Sequence, residues 1–227
     1  METNDQTAAS GTNLMNKENL KAFYREQLPQ LIKTVLLNPI SGTRELLRHP
    51  SGRVYGHAIL LILSTMALYF IAPYLLAGEY MRQLLSFGML LKCSVLAGIF
   101  MLLVSAFSFG IKSISGKPSF RNELLTGALC GIGLILLLAV FVVVRIFGDR
   151  MDVYSFLNPA GLMQNVGLIL VLVLYIFLYM VNIFQQSLKA NGTNDALSWY
   201  VSPLAILLVF YILGKLAKEL LIPASPF

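Results

Sequence analysis

The sequence predicts an all-α, polytopic integral membrane protein, in which amphipathic helices at the N-terminus precede a bundle of five transmembrane helices. Two observations lead to this fold class. Of the 227 residues, 57% are hydrophobic and only 12% are charged, about half of the charged fraction of an average soluble domain. Five apolar stretches also reach membrane length, since about 20 residues at about 1.5 Å each cross a hydrocarbon core about 30 Å thick.

Composition divides the chain into three segments. Residues 1–18 are mostly polar and are expected to be a disordered tail, without the apolar stretch of a cleavable signal peptide. Residues 19–55 are predicted to form cytoplasmic amphipathic helices, and residues 56–227 the five-span transmembrane domain. The predicted spans cover approximately residues 56–76, 90–111, 124–144, 165–186 and 197–216.

The amphipathic arm, residues 19–55, contains two predicted helices. In the first, residues 19–37, apolar side chains recur at steps of three and four, and basic and polar side chains occupy the other positions. Pro29 predicts a kink in this helix, because proline cannot donate to the carbonyl one turn earlier. Asn38 and Pro39 indicate the N-cap and the first residue of a second helix, residues 39–48.

The arm is the candidate surface for binding lipid or a protein partner. Its basic side chains lie beside apolar ones, as in helices that rest on anionic headgroups. The sequence leaves open whether the arm binds lipid or packs on the cytoplasmic ends of the spans. The net charge of +6 lies next to apolar spans, so nucleic acid is not an expected partner. The candidate residues are Lys21, Phe23, Arg25, Lys33, Arg44 and Arg48.

Orientation follows from the distribution of lysine and arginine. The face of the predicted bundle that carries the arm has eleven of these residues, and the opposite face has six. Basic loops are retained on the cytoplasmic side of membranes. We therefore expect the N-terminus inside and, after five crossings, the C-terminus outside.

Small residues at a spacing of four predict close helix packing in the second and third spans. The second span has Ser94 and Gly98, and the third has Gly127 and Gly131. Such pairs let helix backbones approach one another in lipid, where the hydrophobic drive for association is missing. The spacing does not distinguish packing within one chain from packing between copies, so a homo-oligomer remains an alternative.

The fourth span carries amide side chains towards its cytoplasmic end, at Asn182, Gln185 and Gln186. Hydrogen bonding between helices, or placement at the membrane interface, is the favoured interpretation. The alternative is a polar pocket of a small transporter or channel subunit.

The sequence offers little support for catalysis, cofactor binding or metal binding. His49 and His57 flank the start of the first span, and Cys93 and Cys130 lie singly within predicted spans. None of these forms a cluster with metal-ligand spacing. We expect no enzymatic activity, no cofactor, no metal and no disulfide between the two cysteines of one chain.

Two stretches carry a resemblance to a known family. LLNPISGTRELLRHPSGR, residues 36–53, resembles the Asn-Pro-led amphipathic helix that precedes the first span in the Yip family of Ypt-interacting membrane proteins. SISGKPSFRNELLTGAL, residues 113–129, is similar to that family's cytoplasmic loop before the third span. The resemblance implies a bacterial-type member in an inner membrane, with the N-terminus inside, acting through partners and membrane shape.

These observations favour a noncatalytic membrane scaffold or adaptor that acts in membrane organisation or trafficking. Its expected partners are anionic lipid headgroups and an unidentified membrane or cytoplasmic protein. The chemically plain spans and the concentration of basic and amphipathic residues in the arm both favour this interpretation. A small transporter or channel subunit that uses Asn182 and Gln185 is the alternative.

Overall fold

The computed structural model describes residues 17–48, 54–77, 82–83, 85–148 and 159–221, and all regular structure in these ranges is helical. The predicted tail up to residue 16, together with His49, lies outside the described residues. Within these ranges, five helices are long and apolar enough to cross a membrane. The predicted fold class, a five-helix polytopic membrane bundle, is confirmed.

The first part of the arm is a helix with a π-helical turn in its middle. Pro29 has no N–H to donate, which leaves the carbonyl of Arg25 without its α-helical partner. The backbone N–H of Leu28 donates to the carbonyl of Phe23, five residues earlier, which is the hydrogen bond of a π-helix. The irregularity expected at Pro29 therefore appears as this turn. The pieces are α1 (Lys17–Ala22), the π-helical turn (Phe23–Gln27) and α2 (Leu28–Leu37).

The second arm helix, α3, covers Ser41–Arg48 and begins later than predicted. Asn38 ends α2, where its backbone N–H donates to the Thr34 carbonyl at 2.9 Å, and its own carbonyl accepts a hydrogen bond from the Gly42 N–H of α3 at 3.1 Å. Its side-chain oxygen accepts a hydrogen bond from the Ser41 hydroxyl at 2.9 Å. The predicted helix start at Pro39 was two residues too early, because Asn38 lies between the two helices and bonds to both.

Five long helices follow the arm. The second and third extend towards each other beyond the ends predicted at residues 111 and 124, so that only residues 116–119 separate them. This extension brings charged residues into both helices, with consequences described below. The five are α4 (Val54–Leu76), α5 (Phe87–Ser115), α6 (Phe120–Gly148), α7 (Pro159–Ala190) and α8 (Asp195–Leu221).

Helices α5 to α8 form a ring in which each helix contacts the next, and α8 returns to contact α5. Helix α4 packs on the outside of this ring against α5 and α6. At one end of the bundle, α4, α6 and α8 begin and α5 and α7 end. We call this end the arm face, because α3 packs there against α7 and also touches α6.

The predicted small-residue positions lie where helices of this chain meet. A side chain at Gly127 would collide with the backbone carbonyl of Met101, so α6 and α5 touch almost backbone to backbone there. A Cβ at Gly131 would lie 2.5 Å from the sulfur of Met101. On the other side of α5, Gly98 faces Met66 of α4, and the Ser94 hydroxyl donates to the Met66 carbonyl at 2.9 Å. All four residues therefore pack α5 against its neighbours within the chain.

Candidate functional site

The arm face contains a buried ion pair between α5 and α6. The Lys112 ammonium lies 2.9 and 2.7 Å from the two carboxylate oxygens of Glu123, and both side chains are about 5% exposed or less. Both residues lie inside helices that are candidate membrane spans. Ionisable residues in spans are rare and nearly always have partners, because an isolated charge in hydrocarbon is costly. The pair is therefore a candidate functional feature of the arm face.

Three hydroxyl groups complete the cluster around the ion pair. Lys112 also donates to the Ser187 hydroxyl of α7 at 2.8 Å, and the Ser108 hydroxyl donates to Glu123 at 2.6 Å. The hydroxyls of Thr126 and Ser187 are 2.6 Å apart. Each charged atom thus has short polar contacts, which a buried ion pair needs to offset its loss of hydration. We call these five residues the ion-pair cluster.

The sequence positions the cluster through the hairpin of α5 and α6. Lys112 lies three residues before the end of α5, and Glu123 lies three residues after the start of α6. Ser108 precedes Lys112 by one helical turn, and Thr126 follows Glu123 by three residues, so each hydroxyl shares a helix face with its charged neighbour. Sequence reasoning missed this cluster because the second predicted span ended at residue 111 and the third began at residue 124. Both charges were therefore assigned to the loop between them. The signal in the sequence was a pair of opposite charges at similar distances on either side of a short loop between two helices.

The cluster joins three helices but is poorly arranged for catalysis. A lysine nitrogen 2.8 Å from a serine hydroxyl has the separation of a nucleophile and its base. Here, however, the same ammonium faces a carboxylate, and Ser187 is completely buried. The Lys112 nitrogen is therefore not a free base, and the Ser187 hydroxyl is not exposed at the surface. The contacts of the cluster instead connect α5, α6 and α7 at one depth.

A second polar contact attaches the arm to α7, one residue from Ser187. The Asn182 amide donates to the Pro39 carbonyl at 2.9 Å, and Arg44 donates to Gln186 at 3.1 Å. The two amides also bond to each other, Gln186 donating to Asn182 at 3.2 Å. We call these four residues the arm–α7 contact. Thr43 of α3, next to Arg44, is completely buried.

The first part of the arm packs against α4. Phe23 is 1% exposed, and its ring centroid lies 5.4 Å from that of His57. The hydroxyls of Tyr24 and Ser64 are 2.7 Å apart. Val35 of α2 is completely buried and belongs to the same core cluster as residues of the spans. The arm is therefore docked on the bundle along most of its described length.

The docked arm still exposes most of its basic residues. Four of the six candidate binding residues are exposed, namely Lys21, Arg25, Lys33 and Arg48. The other two, Phe23 and Arg44, contact the bundle. Large apolar side chains are exposed beside them, with Leu37 at 73% and Ile40 at 59%. The six candidate binding residues thus fall into four on the outer surface of the arm and two on its inner surface.

The amides considered for a polar pocket are placed differently from one another. Asn182 and Gln186 belong to the arm–α7 contact, and Gln185 is half-buried. Their distance in sequence from the arm, 143 residues between Pro39 and Asn182, explains why sequence reasoning found the amides without their partners. Two of the three amides are therefore hydrogen-bonded to the arm.

Other candidate chemistry is sparse in the part of the chain that the structure describes. There, Cys93 and Cys130 are free thiols, and no group of three or more His, Cys, Asp or Glu side chains is placed to hold a metal ion. Comparison of the chain with known proteins finds no matching family model, no similar curated protein and no similar solved structure. The functional interpretation therefore depends on the geometry of the arm and of the arm face.

Proposed function

We propose that this protein is a noncatalytic integral membrane scaffold, whose N-terminal arm binds anionic lipid headgroups on the cytoplasmic side and thereby presents a fixed surface to a protein partner. The resemblance of residues 36–53 and 113–129 to the Yip family supports this proposal. So does the unequal distribution of basic residues between the two faces. Five membrane-spanning helices supply the anchor.

The observation that carries the proposal is the division of the arm into an inner and an outer surface. The inner surface, with Phe23 and Arg44, is committed to the bundle. The outer surface keeps four basic side chains exposed, and Leu37 and Ile40 beside them are also largely exposed. Basic and apolar side chains together suit the boundary between headgroups and acyl chains.

The docking of the arm favours a scaffold over a free tether. The arm–α7 contact and the burial of Phe23 and Val35 fix the outer surface relative to the spans. A surface fixed in this way loses little conformational entropy when it binds, because its backbone is already ordered. The ion-pair cluster adds to this rigidity by joining the three helices beneath α3.

The test compares lipid binding by the intact protein and an arm variant in which Lys21, Arg25, Lys33 and Arg48 are changed to glutamine. Each protein is purified with an equimolar mixture of phosphatidylglycerol and phosphatidylcholine, and bound lipids are counted by native mass spectrometry. Each basic residue near an anionic surface contributes about 1 kcal/mol. We therefore expect the unmodified protein to prefer phosphatidylglycerol, and the arm variant to lose at least about tenfold of that preference.

The matched control changes exposed basic residues on the opposite face, Arg82, Lys215 and Lys218, to glutamine. This variant has a similar change in net charge and should keep the preference for phosphatidylglycerol. If the arm variant keeps it too, the arm does not bind anionic lipid. Cross-linking of the arm to a protein in native membranes would then become the measurement of choice.

A further inference from the structure

The half of the bundle away from the arm contains an apolar cavity between α6, α7 and α8. Its volume is about 510 Å³, within the range of about 300–1,000 Å³ that is typical of ligand pockets. Ile176 and Met180 of α7 form part of its buried wall. Side chains at its opening, including Leu174 and Leu207, are more than half exposed. The cavity therefore opens sideways, towards the lipid.

The cavity lies just beyond a level at which α6 and α7 approach closely. At Gly133, a Cβ would lie 2.5 Å from the terminal carbon of Met180, so the two helices are in contact there. One helical turn further along α6, Leu137 lines the cavity. On the remaining side, Phe210 of α8 lies with its ring centroid 6.4 Å from that of Phe177. Large side chains from three helices thus surround the space without filling it.

We propose that this cavity binds one acyl chain of a membrane phospholipid. Along α7 the lining runs from Leu170 to Met180, which is about 15 Å at about 1.5 Å per residue. Half of a hydrocarbon core about 30 Å thick is also about 15 Å. The cavity is therefore as long as the chain region of one leaflet, and it lies in the leaflet opposite the arm.

The lining identifies a hydrocarbon as the occupant. All nine lining residues are Leu, Val, Ile, Phe or Met, so the cavity has no side chain that could orient a polar ligand. The opening is continuous with the lipid-facing surface of α7, where Leu170 is 65% exposed. An acyl chain can enter from the bilayer without crossing water, and it needs only dispersion contacts and the filling of a void.

A helix from a second copy fits this cavity less well. Helices associate in membranes through small residues that let their backbones approach, and the lining contains none. A thin, flexible chain needs no such close approach of backbones.

The test uses the full chain purified with phosphatidylcholine, whose headgroup has no net charge to attract the basic arm. Native mass spectrometry counts the phospholipids that survive stepwise removal of lipid. We expect one phospholipid to be retained by the unmodified protein, and Leu174→Trp to reduce its retention at least tenfold by filling the cavity. The matched control is Leu178→Trp, one turn along α7, where the side chain is 54% exposed and outside the cavity lining. This control should retain the lipid.

A second measurement needs no variant. Phosphatidylcholine with a photoactivatable group in its acyl chain is reacted with the unmodified protein in vesicles, and the labelled residues are mapped. We expect labelling at Leu170 and Leu207 to exceed labelling at Leu63 and Leu68 of α4, which are comparably exposed. Uniform labelling would overturn the proposal. So would equal retention by the two tryptophan variants, or a dimer that carries no lipid.

Discussion

Changing Glu123 to methionine tests whether the ion-pair cluster stabilises the bundle. The substitution keeps the side-chain length but leaves the Lys112 ammonium, which is 5% exposed, with Ser187 as its remaining partner in the cluster. Removing one member of a buried ion pair typically costs about 3–5 kcal/mol. Since about 1.4 kcal/mol is a factor of ten, the ratio of folded to unfolded protein should fall by at least about a hundredfold.

The double variant, with methionine at both Lys112 and Glu123, separates the buried charge from the packing. Replacing both members of a buried pair by apolar residues is often neutral or stabilising. Ser108, however, loses its bond to Glu123 and keeps only the 3.5 Å contact with Ser187, and an unsatisfied hydroxyl costs about 1–3 kcal/mol. We expect the double variant to be more stable than the Glu123 variant by at least about 2 kcal/mol. Such a difference would show that the lone charge dominates the loss.

The measurement is equilibrium unfolding in mixed detergent micelles, with Lys112→Met completing the double-mutant cycle. A Glu123 variant that unfolds like the unmodified protein would show that water or lipid headgroups reach Lys112, contrary to its burial in the structure. Independent, additive losses for the two single variants would likewise contradict a direct pair.

Three further predictions concern packing, docking and topology. Gly127→Ala should destabilise the bundle strongly, because its Cβ would collide with the Met101 carbonyl, whereas Gly110→Ala has open space and should be neutral or slightly stabilising in the same unfolding assay. Arg44→Ala should speed amide hydrogen exchange in α3 by removing its bond to Gln186, while Arg48→Ala, at an exposed position, should not. A reporter at the C-terminus and one in the loop between α5 and α6 should lie on opposite sides of the membrane, since three helices separate them; finding both on one side would exclude five crossings.

The spanning helices could be predicted because composition alone determines them. A stretch such as α4 is apolar around its whole circumference, and no partner needs to be known to assign it to the membrane. Helices in the arm were also predicted from residue spacing, and the structure has helices there. Where local chemistry was ambiguous, as at Asn38, the prediction was wrong by a few residues.

The contacts of the arm face could not be predicted, because they depend on which helices become neighbours. Arg44 and Gln186 are 142 residues apart, and Lys112 and Ser187 are 75 apart. In the sequence, each of these side chains taken alone indicates only an anchor at the membrane interface or a hydrogen-bonding group between helices. The packing of α5, α6 and α7 together, and of α3 against α7, brings the members together. The apolar cavity likewise depends on how α6, α7 and α8 pack together, which hydropathy does not record.

The position of Lys112 and Glu123 in one hairpin has a consequence for biogenesis. The two residues are 11 positions apart, so both are synthesised before α7 with its Ser187 exists. A lone lysine or acidic residue costs about 2.5–3.5 kcal/mol at the centre of an inserting helix, and less near its end. We expect Lys112 of α5 and Glu123 of α6 to form their ion pair as the two helices leave the insertion machinery. In a chain stopped after α6, Lys112 should already resist an amine-reactive reagent, and Glu123→Gln should abolish that protection.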